Sequence, residues 1–256
     1  MPAGAAGRRA VPSRRQWLLA VGGTAVAGGA AAAGFGLARG TAPGTSPADA
    51  ELVRDVADPP PGEELMTDHG LLIRLLLIYR SLGGSHAAGQ PLPAPDVHDA
   101  ALIIHDYIEA FHEELEEAYV FPRLRRAGQL TGTVSTLLLQ HARGRQITQL
   151  LLAESGGAGS LPASAADRVT PAMAAFVRMY EPHEAREDTV VYPAYRRLLP
   201  PAELAELGWR FAQLGREQFG RDGFSAMVGR VAQIEQALGI YDLSLFTPPN
   251  LTPPPG

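Results

Sequence analysis

The chain has 256 residues, no cysteine, 22 basic and 27 acidic side chains, and a formal net charge of −5. A hydrophobic content of 46% is enough for one sizeable core and excludes wholesale disorder. Without cysteine there are no disulfides, thiolate-held clusters or cysteine nucleophiles, so any metal must be held by imidazole and carboxylate, a donor set suited to iron, manganese or zinc.

Residues 1–40 carry Arg8, Arg9, Arg14, Arg15 and Arg39 and no acid. Ser13-Arg14-Arg15-Gln16-Trp17-Leu18 leads into an apolar, Ala/Gly-rich run that ends near Leu37, the pattern of a twin-arginine signal. Such a signal predicts export of a folded protein to the periplasm or beyond. A signal that escaped cleavage would leave the chain anchored, although its many Gly and Ala residues make a weakly hydrophobic span. Small residues at Ala30-Ala31-Ala32 and at Gly36-Leu37-Ala38 offer two cutting points. Without the five arginines the balance becomes −5 − 5 = −10. An acidic body of this kind argues against nucleic acid, or an anionic membrane surface, as a stable partner.

After a Pro/Gly/Ala-rich linker (41–61), the periodicity predicts helices with little strand signal. The first expected helix spans Glu63 to Leu82 and stops at Gly83-Gly84, followed by a loop to Pro95. Asp96 is a plausible cap for a long second helix through Phe121, where Pro122 kinks or ends it. A third helix is expected from Gly132 to Glu154 and a fourth from Pro171 to Leu199, bent at Pro182 and Pro193. A fifth, Glu203 to Leu238, is broken near Gly220-Arg221-Asp222-Gly223, and a Pro-rich tail follows. The first four have the lengths and connections of an all-α, up-down-up-down four-helix bundle over 62–200, with a helical extension over 201–256.

An internal repeat carries the chemistry. His112 opens HEELEEAYVFPRL and His183 opens HEAREDTVVYPAYRRL, 183 − 112 = 71 residues apart. In each, acids follow at the fourth and fifth residues, an aromatic at the ninth and Pro at the tenth. His69 and His141, on the first and third helices, are 141 − 69 = 72 apart. The bundle therefore reads as two copies of one helical hairpin. Each copy supplies a single His and a His-x-x-x-Glu pair, whose members share a helix face. Burying His69, His112, Glu116, His141, His183 and Glu187 together without a metal would be costly, whereas a dinuclear carboxylate site uses such a set. Open coordination positions would remain for a small ligand.

This pattern, from about Leu65 to Leu199, resembles the hemerythrin-like domain in its His/His/Glu cation-binding form. The resemblance implies a four-helix bundle with a non-haem, oxygen-bridged centre of two iron ions, with manganese or zinc as lesser candidates. Carried over by position, His69, His112 and Glu116, His141, and His183 and Glu187 are the ligands from helices one to four. The segment FGRDGFSAMVGRVAQIEQALGIYDLSLFTP resembles the extension of exported bacterial members. Arg145 stands where oxygen-carrying members have a second histidine on the third helix, and both Glu187 and Asp188 are available on the fourth. Glu113 is a candidate additional ligand beside a solvated-face reading. His105, two α-helical turns before His112, is expected as a core or hydrogen-bonding residue near the centre. His86 and His98 are expected to be exposed, and Tyr119, Phe121, Tyr192 and Tyr195 to fill the core. A tyrosine near the metals would be placed to supply an electron or proton.

The resulting expectation is an exported di-iron protein that binds or senses dioxygen or another small diatomic or peroxide ligand. The alternatives are a di-iron enzyme (oxidase, peroxidase or nitric oxide-handling) and an iron-binding or storage protein.

Overall fold

The computed structural model describes residues 60–249; the segment expected to be a twin-arginine signal lies outside them. Among the described residues the elements are helices, with one isolated bridge between Pro93 and Ser160. Helix α1 is Pro61–Ala87, α2 covers 94–126, α3 is Thr131–Ser155 and α4 covers 163–197. Pro201–Phe219 (α5) and Gly223–Ala237 (α6) follow, and a 3-10 turn, Leu243–Phe246, lies beyond them.

Three of the expected boundaries move, each for a packing reason. α1 continues through Gly83-Gly84 to Ala87. Two glycines cost roughly 1 kcal/mol each in a helix interior, and burial of Leu75, Ile78, Tyr79 and Leu82 against the other helices outweighs this. α2 starts at Ala94 rather than Asp96, because extended Pro93 fixes the entry and Pro95 fits the first turn. α4 starts at Ala163, eight residues before the expected Pro171, which lies inside the helix. Buried Ala165, Ala166 and Val169 carry the helix past that proline.

The tenth-residue prolines of the repeat have a structural meaning. Phe121 N–H donates to Glu116 C=O, and Tyr192 N–H donates to Glu187 C=O, five residues back instead of four. These wide π turns, Glu116–Val120 and Glu187–Val191, sit just ahead of Pro122 and Pro193, which cannot donate. Helix direction continues on both sides, so the prolines neither end nor sharply break α2 and α4. The extra residue in the turn brings the aromatic at the ninth position round to the face that carries the glutamate. A longer π segment, Ile104–His112, precedes the first glutamate.

The α1–α2 and α3–α4 loops meet at one end of the bundle. There Ala94 N–H donates to Gly159 C=O and Leu161 N–H to Leu92 C=O, both at 2.8 Å. α5 and α6 pack on the outside of the first hairpin. Phe211 is buried against Tyr119, Phe219 packs on Tyr107 and Phe111, and Arg74 forms a two-pronged pair with Glu235 at 2.9 and 2.5 Å. The four-helix layer thus carries the leucine-rich core and encloses a belt of buried polar side chains midway along it.

Candidate metal centre

The six sequence-predicted residues come together in that belt, all buried. They form two sets of three donors, His69–His112–Glu116 and His141–His183–Glu187, and within each set the ligand atoms lie within 4.8 Å of one another. The sets adjoin. Glu116 Oε2 lies 3.7 Å from His112 Nε2 and 3.5 Å from His141 Nε2, so it faces a histidine of each set. Glu187 Oε2 does the same, 3.1 Å from His183 Nε2 and 3.4 Å from His69 Nε2. Helical i,i+4 spacing supplies the contact within a set, and convergence of the two hairpins supplies the contact across.

Every imidazole is oriented by an oxygen behind it. Nδ1–H of His69 donates to Asp188 Oδ1 (2.7 Å), that of His112 to Asp68 Oδ2 (3.2 Å), that of His141 to Glu117 Oε1 (2.9 Å), and that of His183 to Gln140 Oε1 (2.9 Å). This fixes the tautomer and leaves each Nε2 lone pair aimed inward, the usual arrangement around metal-ligating histidines. The sequence reading missed Asp68, Glu117 and Gln140. Their signal was there: each stands directly before a single histidine or directly after a chelating glutamate, and the positions repeat in both hairpins. Asp188, weighed as a ligand, instead holds His69.

The cluster fits a cation by its own chemistry. Glu116 Oε2 and both oxygens of Glu187 are buried without a hydrogen-bond donor. His141 Nε2 and His183 Nε2 face each other at 3.3 Å although both Nδ1 protons are already committed. Without a cation, protons must fill these gaps unevenly. Burial, and then the charge of Glu187, lift Glu116 well above the carboxylate range. Burial also acts to raise Glu187, but the adjoining charge of His183 outweighs it and holds Glu187 low. Burial pulls His141 down to about 4 and lowers His112, while burial at His69 is overcome by the hydrogen bond with Asp188 and the charge of Glu187, which raise it. Deprotonated carboxylates and neutral imidazoles are the metal-binding forms, so a cation would displace these protons.

Around the sets lie further polar groups. Arg145, at the position of the missing histidine, reaches Glu113 Oε2 (2.8 Å) and Glu117 Oε1 (2.7 Å). Tyr180 donates to Glu113 Oε1 at 2.6 Å, and Gly144 allows its ring this close approach. Glu113 therefore lies on the Nδ1 side of His141, at 3.9 Å, with its oxygens committed to Arg145 and Tyr180. Burial pushes Glu113 up to about 8, and does the same to Glu184. Tyr192 is more than core filling. Its hydroxyl donates to Glu116 Oε1 at 2.7 Å and stands 3.2 Å from His69 Nε2. On its outer side Tyr192 lines a cavity of about 230 Å³ shared with Gly62, Met66, Pro193 and Leu204.

His105 corrects the expectation. It is 48% exposed and pairs with Asp106, because the π segment between it and His112 means that seven residues no longer complete two turns. His86 and His98 are half-buried rather than exposed, His86 beside Gln90 C=O and His98 beside Ser155 Oγ.

Four antiparallel helices closing on a buried double set of His and Glu define a bundle metal-binding protein. The family model for the hemerythrin HHE cation binding domain matches residues 61–195, and the chain belongs to that family. It is 47% identical, over 186 residues and 73% of each chain, to uncharacterized proteins of Mycobacterium bovis and Mycobacterium tuberculosis. No solved structure gives a significant match.

Proposed function

We propose that this is an exported, non-haem di-iron protein whose open coordination positions bind dioxygen or a related small molecule. The observation that carries the reading is the placement of Glu116 Oε2 and Glu187 Oε2, each facing one histidine from both donor sets. Carboxylates so placed suit bridging between two ions. His69, His112 and Glu116 would hold one, and His141, His183 and Glu187 the other. Iron suits the mixed imidazole and carboxylate donors and the family's chemistry. When bound, it would supply electrons and vacant positions for a diatomic or peroxide ligand. The chain's own part is to orient four imidazoles through Nδ1, to exclude water by complete burial, and to hold Glu116 through the Tyr192 hydroxyl. The Arg14-Arg15 motif supports export by the twin-arginine route.

A di-iron enzyme is the second reading, and Tyr192 favours it, since a buried phenol beside a donor set can pass a proton to a bound ligand. Metal analysis, followed by optical titration of the reduced protein with oxygen and its removal, tests both. About two irons per chain and a spectrum that reverses on deoxygenation support binding. Irreversible oxidation with consumption of peroxide or a co-substrate supports the enzyme. Zinc alone, or no metal, would sink the di-iron reading.

A further inference from the structure

The oxygens behind the imidazoles occupy matching positions in the two hairpins, but their charges differ. The residue before the single histidine is Asp68 in the first hairpin and Gln140 in the second. The residue after the glutamate is Asp188 for His69 and Glu117 for His141. Glu117 Oε1, however, is shared with the Arg145 guanidinium at 2.7 Å; neither Asp68 nor Asp188 has such a partner among the described residues. Behind the first set stand two carboxylates, formally −2. Behind the second stand one carboxylate, one guanidinium and one neutral amide, formally −1 + 1 + 0 = 0.

Other neighbours do not cancel the difference. The residues that follow the two chelating histidines, Glu113 and Glu184, are buried carboxyl groups in both halves. Tyr107 donates to Asp68 Oδ1 at 2.7 Å, which spreads the charge of Asp68 without neutralising it. A carboxylate behind an imidazole raises its donor strength, and in a buried site an extra negative charge favours the more highly charged ion.

We infer that the two metal positions are electronically unlike: the His69–His112–Glu116 position stabilises a trivalent ion and the His141–His183–Glu187 position a divalent one. Resting on the di-iron reading, this makes the half-reduced, mixed-valence pair a favoured state of the centre. One electron from an added reductant goes to the second position and the first stays ferric.

The test uses the full chain, loaded with iron, oxidised, and given one electron equivalent of dithionite. Iron per chain is measured on the same samples, and the mixed-valence state is quantified by electron paramagnetic resonance and Mössbauer spectroscopy. The wild type should hold more of the mixed-valence state than a statistical distribution over equivalent sites allows. Asp68→Asn, which removes charge from the first side, and Gln140→Glu, which adds it to the second, should each lower the comproportionation constant by about tenfold, the lower end of the effect seen when a ligand's supporting group is changed. The double variant, which leaves one net negative charge on each side, should lower it further than either single variant, toward the statistical value. A statistical yield in the wild type, with two irons bound, overturns the inference and leaves the di-iron reading intact. So does a constant unmoved in both single variants at full iron content. A wild type that takes up no iron overturns both.

Discussion

The α1–α2 and α3–α4 hairpins are the same device built twice, and they differ only in what surrounds it. Each brings a single histidine, a His-x-x-x-Glu pair, a π turn beginning on the glutamate, a buried carboxyl after the chelating histidine, and an oxygen behind every imidazole. Asp68 stands opposite Gln140, Ile73 opposite Arg145, Leu72 opposite Gly144 and Phe121 opposite Tyr192. Phe121 packs on His141 and Tyr192 on His69 at the same 5.6 Å between ring centres, so the hydroxyl is the main chemical difference between those contacts. Geometry at the donors is held constant while charge and hydrogen bonding one layer out vary. The two halves therefore share one coordination plan and need not share one reactivity.

The most severe way to break the pairing is to remove a glutamate that faces both sets. Glu116→Ala or Glu187→Ala should take bound iron from about two per chain to well under one, by elemental analysis. His112→Ala or His183→Ala should damage chiefly its own set. Equal losses from glutamate and histidine variants would show that the carboxylates do not serve both positions.

Next comes Gly144→Ala. An added Cβ would stand 2.1 Å from Tyr180 Oη, so the ring must move and release Glu113. Thermal unfolding should show a loss of about 1–3 kcal/mol, the size of an overpacking penalty. The other hairpin carries Leu72 at this place and has no such close approach.

A smaller effect concerns pH. Glu113 and Glu184, ordinarily near 4.5, are raised to about 8, so the folded chain holds their protons more tightly than the unfolded one does. Their contribution to stability is complete below 4.5 and is lost as pH rises toward 8. His141, lowered from 6.5 to about 4, acts in the opposite direction but only between those values. The melting temperature of chelator-treated protein should therefore fall from pH 6.5 to 8. Glu184→Gln should flatten that fall; an unchanged slope would remove Glu184 from the account. Smallest of all, His105→Ala should leave iron content unchanged and stability within about 0.5 kcal/mol, because the side chain is exposed and lies outside the repeat.

Much of this was legible in the chain. The 71-residue repeat picked out the residues that converge, because ligand spacing on a helix is local and survives any detail of packing. The groups behind the imidazoles were harder to see. Asp68 and Gln140 are unlike in charge, and each reaches its histidine on a neighbouring helix, across a distance that no spacing rule on one helix encodes. His105 was misplaced for a related reason. A 3.6-residue period puts it on the face of His112, and the wider turns of the Ile104–His112 π segment overrule this. The passage of α1 through Gly83-Gly84 and the early start of α4 likewise reflect burial winning over local preference.

The π turns belong to the repeat as well. A π turn is an α-helix with one residue too many, and here the surplus falls at the same place in both hairpins, directly after the glutamate and before an aromatic-proline pair. The surplus residue is thus as much a part of the repeated unit as the ligands are. The unequal neighbours, Gln140, Arg145 and Tyr192 among them, lie outside that shared pattern.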